Sequence, residues 1–110
     1  MFNLGIDISI GGQMGAAGMA LAAPVNTVLP VVTGALTVGS TLTSTQGTWT
    51  GTPPIAYFYQ WKVAGINVGT NQNTYVTVAG DATKTVTCTV IATNATASVP
   101  AQSAAVGPIV

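Results

Sequence analysis

Beyond residue 30 the chain is a succession of short runs rich in threonine and valine, each closed by a turn residue, and no window carries helical spacing. Val31-Val32-Thr33 and Ala35-Leu36-Thr37-Val38 lead to Gly39, and residues 40–45 give a second element around Leu42. Gln46-Gly47-Thr48 and Gly51-Thr52-Pro53-Pro54 frame Trp49 in a loop. The strongest β signal is 55–63, where Tyr57, Tyr59, Trp61 and Val63 share one face and Phe58, Gln60 and Lys62 the other. Ala64-Gly65 turns into Ile66-Asn67-Val68, and residues 69–73 are a polar loop. Strands follow at 74–78 and 84–93, with a turn at Gly80-Asp81 between them. Asn94-Ala95-Thr96 turns into a weaker last strand over 98–106. Such residues suit a pleated, half-buried surface, so the chain must solve its packing with strands alone.

Roughly seven short antiparallel strands of this kind predict an all-β fold, a two-sheet sandwich of immunoglobulin type, over residues 30–110. Ahead of it lies something different. Phe2, Leu4, Ile6, Ile8 and Ile10 alternate with Asn3, Gly5, Asp7 and Ser9, a strict period of two that reads as a half-buried strand about 30 Å long. Gly11-Gly12 ends it without a hairpin partner. Residues 12–23 are small-residue coil in which Met14, Met19 and Leu21 are the large apolar groups, and residues 24–30, with proline at both ends, read as a linker. The predicted organisation is therefore an extended apolar arm and linker at 1–29, then the sandwich.

An unpaired strand has backbone groups that must be satisfied somewhere. The expected solution is addition to a sheet edge on another subunit, with the five apolar side chains buried. At about 1.5–3 kcal/mol for each buried side chain, the gain is ample against ordering costs of about 1–2 kcal/mol per residue, provided the main chain also zips into hydrogen bonds. The assembly residues expected from this reading are Phe2, Leu4, Ile6, Ile8, Ile10, Met14, Met19 and Leu21. Docking of the arm on its own sandwich is the alternative.

Charge points the same way. The only charged side chains are Asp7, Lys62, Asp81 and Lys84, 4% of the chain against about a quarter in ordinary soluble proteins. A free monomer of zero net charge should associate, so much of its surface is expected to be covered by partners. Two lysines cannot form the basic track that displaces counterions from phosphates, so nucleic acid is excluded as a partner. Ala20-Leu21-Ala22 before Ala23-Pro24 has the look of a signal-peptidase site. However, no Lys or Arg precedes it and Asp7 interrupts the apolar stretch, so neither a signal nor a membrane span is expected.

Chemistry is poorly served. Cys88 is the single cysteine, so no intrachain disulfide forms, and with no histidine in the chain it has no base to activate it. It reads as a small buried apolar group. Asp7 and Asp81 are the only carboxylates and lie in different zones, which suits neither paired-carboxylate hydrolysis nor a calcium site. No catalytic residue, cofactor or metal is expected. Asn94-Ala95-Thr96 fits the glycosylation sequon, but a strand-connecting turn is the favoured reading.

Several pieces in order resemble the bacterial and phage Ig-like repeats of surface adhesins and virion proteins. They are Gly34, Thr37-Val38-Gly39, Leu42, Gly47-Thr48-Trp49 and Tyr57-Phe58-Tyr59-Gln60-Trp61, then Gly65, Tyr75, Asp81, Lys84-Thr85-Val86 and Ala92-Thr93-Asn94. The resemblance covers about residues 30–106, and it speaks for the fold more than for a function. It implies a core of Leu42, Tyr59, Trp61, Tyr75, Cys88 and Val90. Trp61 would pack near Cys88 on the opposite sheet, and Leu42 would stand where a second cysteine is usual. It also implies that Trp49 packs rather than binds, which leaves Phe58 as the main surface aromatic. The repeats often carry Gly where Thr83 stands, so the turn before Lys84 is a departure. Anchoring arm plus one such module suits a virion structural protein. The leading expectation is a capsid decoration protein touching the major capsid protein and copies of itself. The alternatives are a tail or fibre-attachment component, or a module adhering to a host surface or glycan.

Overall fold

The computed structural model describes residues 21–110. Nine strands form there: β1 (Val25–Val28), β2 (Val32–Thr33), β3 (Thr41–Ser44), β4 (Thr48–Thr50), β5 (Ala56–Val63), β6 (Ile66–Val68), β7 (Thr74–Val76), β8 (Val86–Thr93) and β9 (Ser98–Gln102). Among the described residues a 3-10 turn at Ala79–Asp81 is the one helical element. The strands make three antiparallel sheets, in the orders β9-β8-β5-β6, β2-β3-β7 and β1-β4. The chain is all-β.

The β5–β8 pair is the backbone of the fold. It runs without a slip from Ala56 opposite Thr93 to Val63 opposite Val86. A one-residue slip would carry every apolar side chain to the wrong face. In β8 the sequence enforces the register: Val86, Cys88, Val90 and Ala92 are buried, while Thr87, Thr89, Ile91 and Thr93 are half-buried. β5 answers with Trp61 and Val63 buried and Phe58 45% exposed. The two-residue turn into β6 uses Ala64 and Gly65 at φ 49° and 81°, the left-handed pair that a tight hairpin requires.

One core cluster joins Val32 and Leu42 of the three-stranded sheet to Trp61, Val63, Val86 and Cys88 of the four-stranded sheet, with Ile109 closing one end. That shared core is compatible with a two-sheet β-sandwich. Trp61 is its largest member. It is fully buried, its ring stacks on Tyr75 with centroids 5.8 Å apart, and its indole N–H donates to the Gln72 carbonyl at 2.8 Å.

Residues 24–30 are no linker. β1 pairs with β4, Pro24 and Pro30 are buried, and the Asn26 amide donates to the Val28 and Thr48 carbonyls. The fold therefore begins before residue 30. Glycine makes this docking feasible: at Gly47, φ +78°, a Cβ would stand 2.4 Å from the Val28 carbonyl oxygen. The same pairing draws Trp49 out of the expected loop and into β4. Residues 35–38 form no strand, because their polar groups are taken from outside, with the Thr77 hydroxyl donating to the Thr37 carbonyl at 2.7 Å. The last strands are shorter than expected, β7 ending at Val76 and β9 at Gln102, although Val106 still bridges to Val86.

Trp61 and Cys88 do not face each other from opposite sheets. They are direct partners in the β5–β8 register, and Leu42 of β3 is a core residue that the three-stranded sheet contributes. Thr83 adopts φ 71°, the conformation a glycine would take there. The glycine is missing and its conformation is kept.

Candidate interaction surface

Among the described residues no pocket opens, and no three His, Cys, Asp or Glu side chains gather. No helix among them is long and apolar enough to cross a membrane. The chemistry-bearing groups are few. Asp81 is buried, and its Oδ2 accepts from the Tyr75 hydroxyl at 2.7 Å and from the Val78 amide at 2.9 Å. Desolvation, joined by that bond and by the carboxylate's charge, pushes the Tyr75 phenol up to about 12. Burial raises the Cys88 thiol as well, against a lesser opposing hydrogen bond from Ser44, so thiolate is scarce at neutral pH. The Tyr59 phenol is raised chiefly by desolvation.

Asn94 is a structural clamp. Its Oδ1 accepts from the amides of Thr96 and Ala97, an Asx turn, and its Nδ2 donates to the carbonyls of Ala22 and Thr52. A sequon asparagine whose amide nitrogen holds two carbonyls serves the turn. Ala22 and Thr52 also bond each other, amide to hydroxyl at 2.8 Å and amide to carbonyl at 3.1 Å, so the chain enters the fold at this end.

Of the residues expected to dock, Phe2, Leu4, Ile6, Ile8, Ile10, Met14 and Met19 lie outside the described residues. Leu21 lies within them and is 66% exposed. Of the expected core, Leu42, Trp61, Cys88 and Val90 are completely buried, and Tyr59 and Tyr75 are half-buried against it. Trp49 is half-buried, donates its indole N–H to Gln46, and lies 6.4 Å from Tyr57. Both rings are thereby tied to the fold.

Eleven large apolar side chains are exposed among the described residues, and only Lys62 and Lys84 add charge, since Asp81 is buried. Their distribution is uneven. Leu21, Val25, Val28, Leu29 and Val31 form one ribbon, every member more than half exposed. At the other end Val38, Val76, Val78 and Val110 gather around bonds from Val38 to the Val110 carbonyl and from Gly39 to that of Thr77. Soluble monomers rarely leave apolar areas of this kind uncovered. Sequence reasoning missed the ribbon because it took 24–30 for a linker. The available signal was Val25, Val28, Leu29 and Val31 clustered beside glycines at 47 and 51.

The chain matches no family model, no curated protein and no solved structure.

Proposed function

We propose that this chain is a non-enzymatic structural protein of a phage particle, a capsid decoration protein, whose N-terminal arm anchors an immunoglobulin-like domain displayed outward. The carrying observation is the exposed apolar stretch of Leu21, Val25, Val28, Leu29 and Val31 at the start of the described fold, which follows the alternating apolar residues 2–10 in the sequence. An anchor is helped by exposed apolar side chains free of charge near its arm in the sequence, and residues 21–31 carry five such side chains and no charge. Its partners are a virion protein, the major capsid protein foremost, and other copies of the chain.

The strand orders support the immunoglobulin-like part. Counting β2, β3, β5, β6, β7, β8 and β9 as A, B, C, C′, E, F and G gives sheets ABE and GFCC′, the division such domains use, with β1 and β4 as an added ribbon. The virion itself rests on the resemblance of residues 30–106 to phage and bacterial repeats.

The test is removal of residues 1–12. Among the described residues the core cluster draws on residues 32–109, so the truncated chain should fold while losing its place on purified particles. Wild-type occupancy after truncation would show that the arm is not the anchor.

A further inference from the structure

The sandwich is one strand short, and the gap has a shape. Register sets Trp61 opposite Val68 and Val63 opposite Ile66, and directly opposed residues project on one face of a sheet. Trp61 and Val63 are buried, so Ile66 points inward with them, yet it is 70% exposed. Among the described residues the facing sheet has three strands against four and ends at β7, with no strand above Ile66. On β7, Tyr75 pairs with buried Leu42 and turns its backbone groups toward β3. Antiparallel alternation therefore directs the N–H and C=O of Thr74 and Val76 to the free side. An uncovered inward side chain next to an unpaired edge is the acceptor geometry for strand addition.

Resting on the reading of the arm as anchor, we infer that residues 2–10 of a second copy add to β7 as the missing fourth strand. Pattern, length and charge fit. The position has one dry side and one wet side, and residues 2–10 put Phe2, Leu4, Ile6, Ile8 and Ile10 on one face only. Nine residues span about 30 Å, enough to follow β7 and pass Ile66. The one charge on the arm is Asp7, and the exposed charges of the fold are lysines, so no repulsion opposes docking. A second copy is the better donor because the same chain carries the exposed apolar stretch at 21–31 soon after the arm. Exchange between copies brings that ribbon against its neighbour, whereas an arm folded back leaves it bare. Such a contact is head-to-tail and closes into a ring or extends as a filament.

The experiment uses the full chain, purified alone, with association followed by sedimentation. Ile66→Asp in the acceptor and Ile8→Asp in the donor should each weaken association at least tenfold, while Asp7→Asn leaves it unchanged. The melting temperature of dilute Ile66→Asp protein should stay at the wild-type value, because Ile66 is already exposed. Copies carrying only Ile6→Cys, mixed with copies carrying only Ile66→Cys, should be joined by a short bis-maleimide into a dimer of the two variants. If Ile8→Asp abolishes association while Ile66→Asp assembles normally, the arm docks elsewhere and this inference fails while the anchor stands. If neither variant changes association, this inference fails, while the anchor on the particle is judged separately by occupancy after removal of residues 1–12. A double Ile6→Cys, Ile66→Cys chain that cross-links only to itself overturns the second copy.

Discussion

Trp61→Ala should cost the fold about 3–5 kcal/mol, the range for deleting a large aromatic from a packed core. The structure places the value toward the upper end. Trp61 has no exposed surface, and the four residues flanking it in the core, Leu42, Val63, Val86 and Cys88, sit on strands whose registers leave little freedom to collapse. Its stack on Tyr75 and its bond to Gln72 are lost together. Those two contribute about 0.5–1.5 kcal/mol each in other proteins; the Gln72 carbonyl belongs to an exposed residue and regains water, which limits that share. Trp61→Phe separates the terms: it keeps most of the apolar volume and drops the indole N–H, so about 1–2 kcal/mol is expected. The assay is equilibrium unfolding in urea, read by loss of tyrosine fluorescence change and of β circular dichroism. A domain of this size shifts by about 4–8 °C per kcal/mol, so Trp61→Ala should melt at least 12 °C early or fail to fold. Phe58→Ala, three residues away on the outward face, should fall within about 1 kcal/mol of wild type. A Trp61→Ala loss below about 1 kcal/mol would refute the packing argument and return the ring to the surface.

Three further outcomes follow from single sites. Tyr75 holds its proton up to about 12 in the fold and to about 10 when unfolded; its contribution is present below pH 10 and is lost as pH rises toward 12, so Tyr75→Phe should flatten the alkaline fall in stability. Ultraviolet titration should show the phenol lost in Tyr75→Phe to be the last to ionise, and an unchanged late phase in that variant would contradict it. Thr83→Gly should raise stability by up to about 1 kcal/mol, because relief of φ 71° at a β-branched residue exceeds the entropy cost of glycine; a lower melting temperature would mean the turn is unstrained. Gly47→Ala should destabilise by about 2 kcal/mol and release β1, since φ +78° and the Val28 carbonyl at 2.4 Å both oppose a Cβ. Amide exchange at Asn26 faster than in wild type, with β8 unchanged, would be the signature.

Much of the fold was legible because two-residue periodicity survives wherever a strand has one dry side. The whole of β8 could be read from Val86, Cys88, Val90 and Ala92 alternating with threonine and isoleucine, and β5 from Trp61 and Val63 against Phe58 and Lys62. What stayed hidden depends on contacts between distant segments. Val25–Val28 shows no alternation, since Val25, Thr27 and Val28 are all exposed; it is a strand because Gly47 and Gly51 let β4 approach and Asn26 bonds across. Residues 35–38 carry strand-forming side chains, but Thr77 takes the Thr37 carbonyl and Val110 the carbonyl of Leu36. The relation of Trp61 to Cys88 was misjudged because spacing along a chain says which face a residue takes and not which strand lies beside it. The proposed docking was legible only in part: the pattern of residues 2–10 suggests a donor strand, while Ile66 carries no local signal and enters the proposal only through the strand count of the opposite sheet.

The polar groups inside the fold explain how a chain with almost no charge can still choose one structure. Asp81, Ser44, Thr77 and Ser103 are buried, and each bonds a backbone group that strand pairing leaves over. The Ser103 hydroxyl receives the Cys88 amide at the end of the β8–β9 ladder, and Thr77 ties the descending chain to residue 37. Buried groups of this kind are costly to misplace, because any competing packing strands them without partners. Specificity therefore resides in a handful of internal hydrogen bonds, which leaves the outer face free to be apolar. For a protein that folds alone, such a face invites indiscriminate association. For one whose exposed areas meet a strand of matching pattern, the same face sets affinity, and the backbone edge beside Ile66 sets register. Arm, ribbon and open edge are then parts of one device, and a substitution that adds charge to any of them should show in assembly long before it shows in folding.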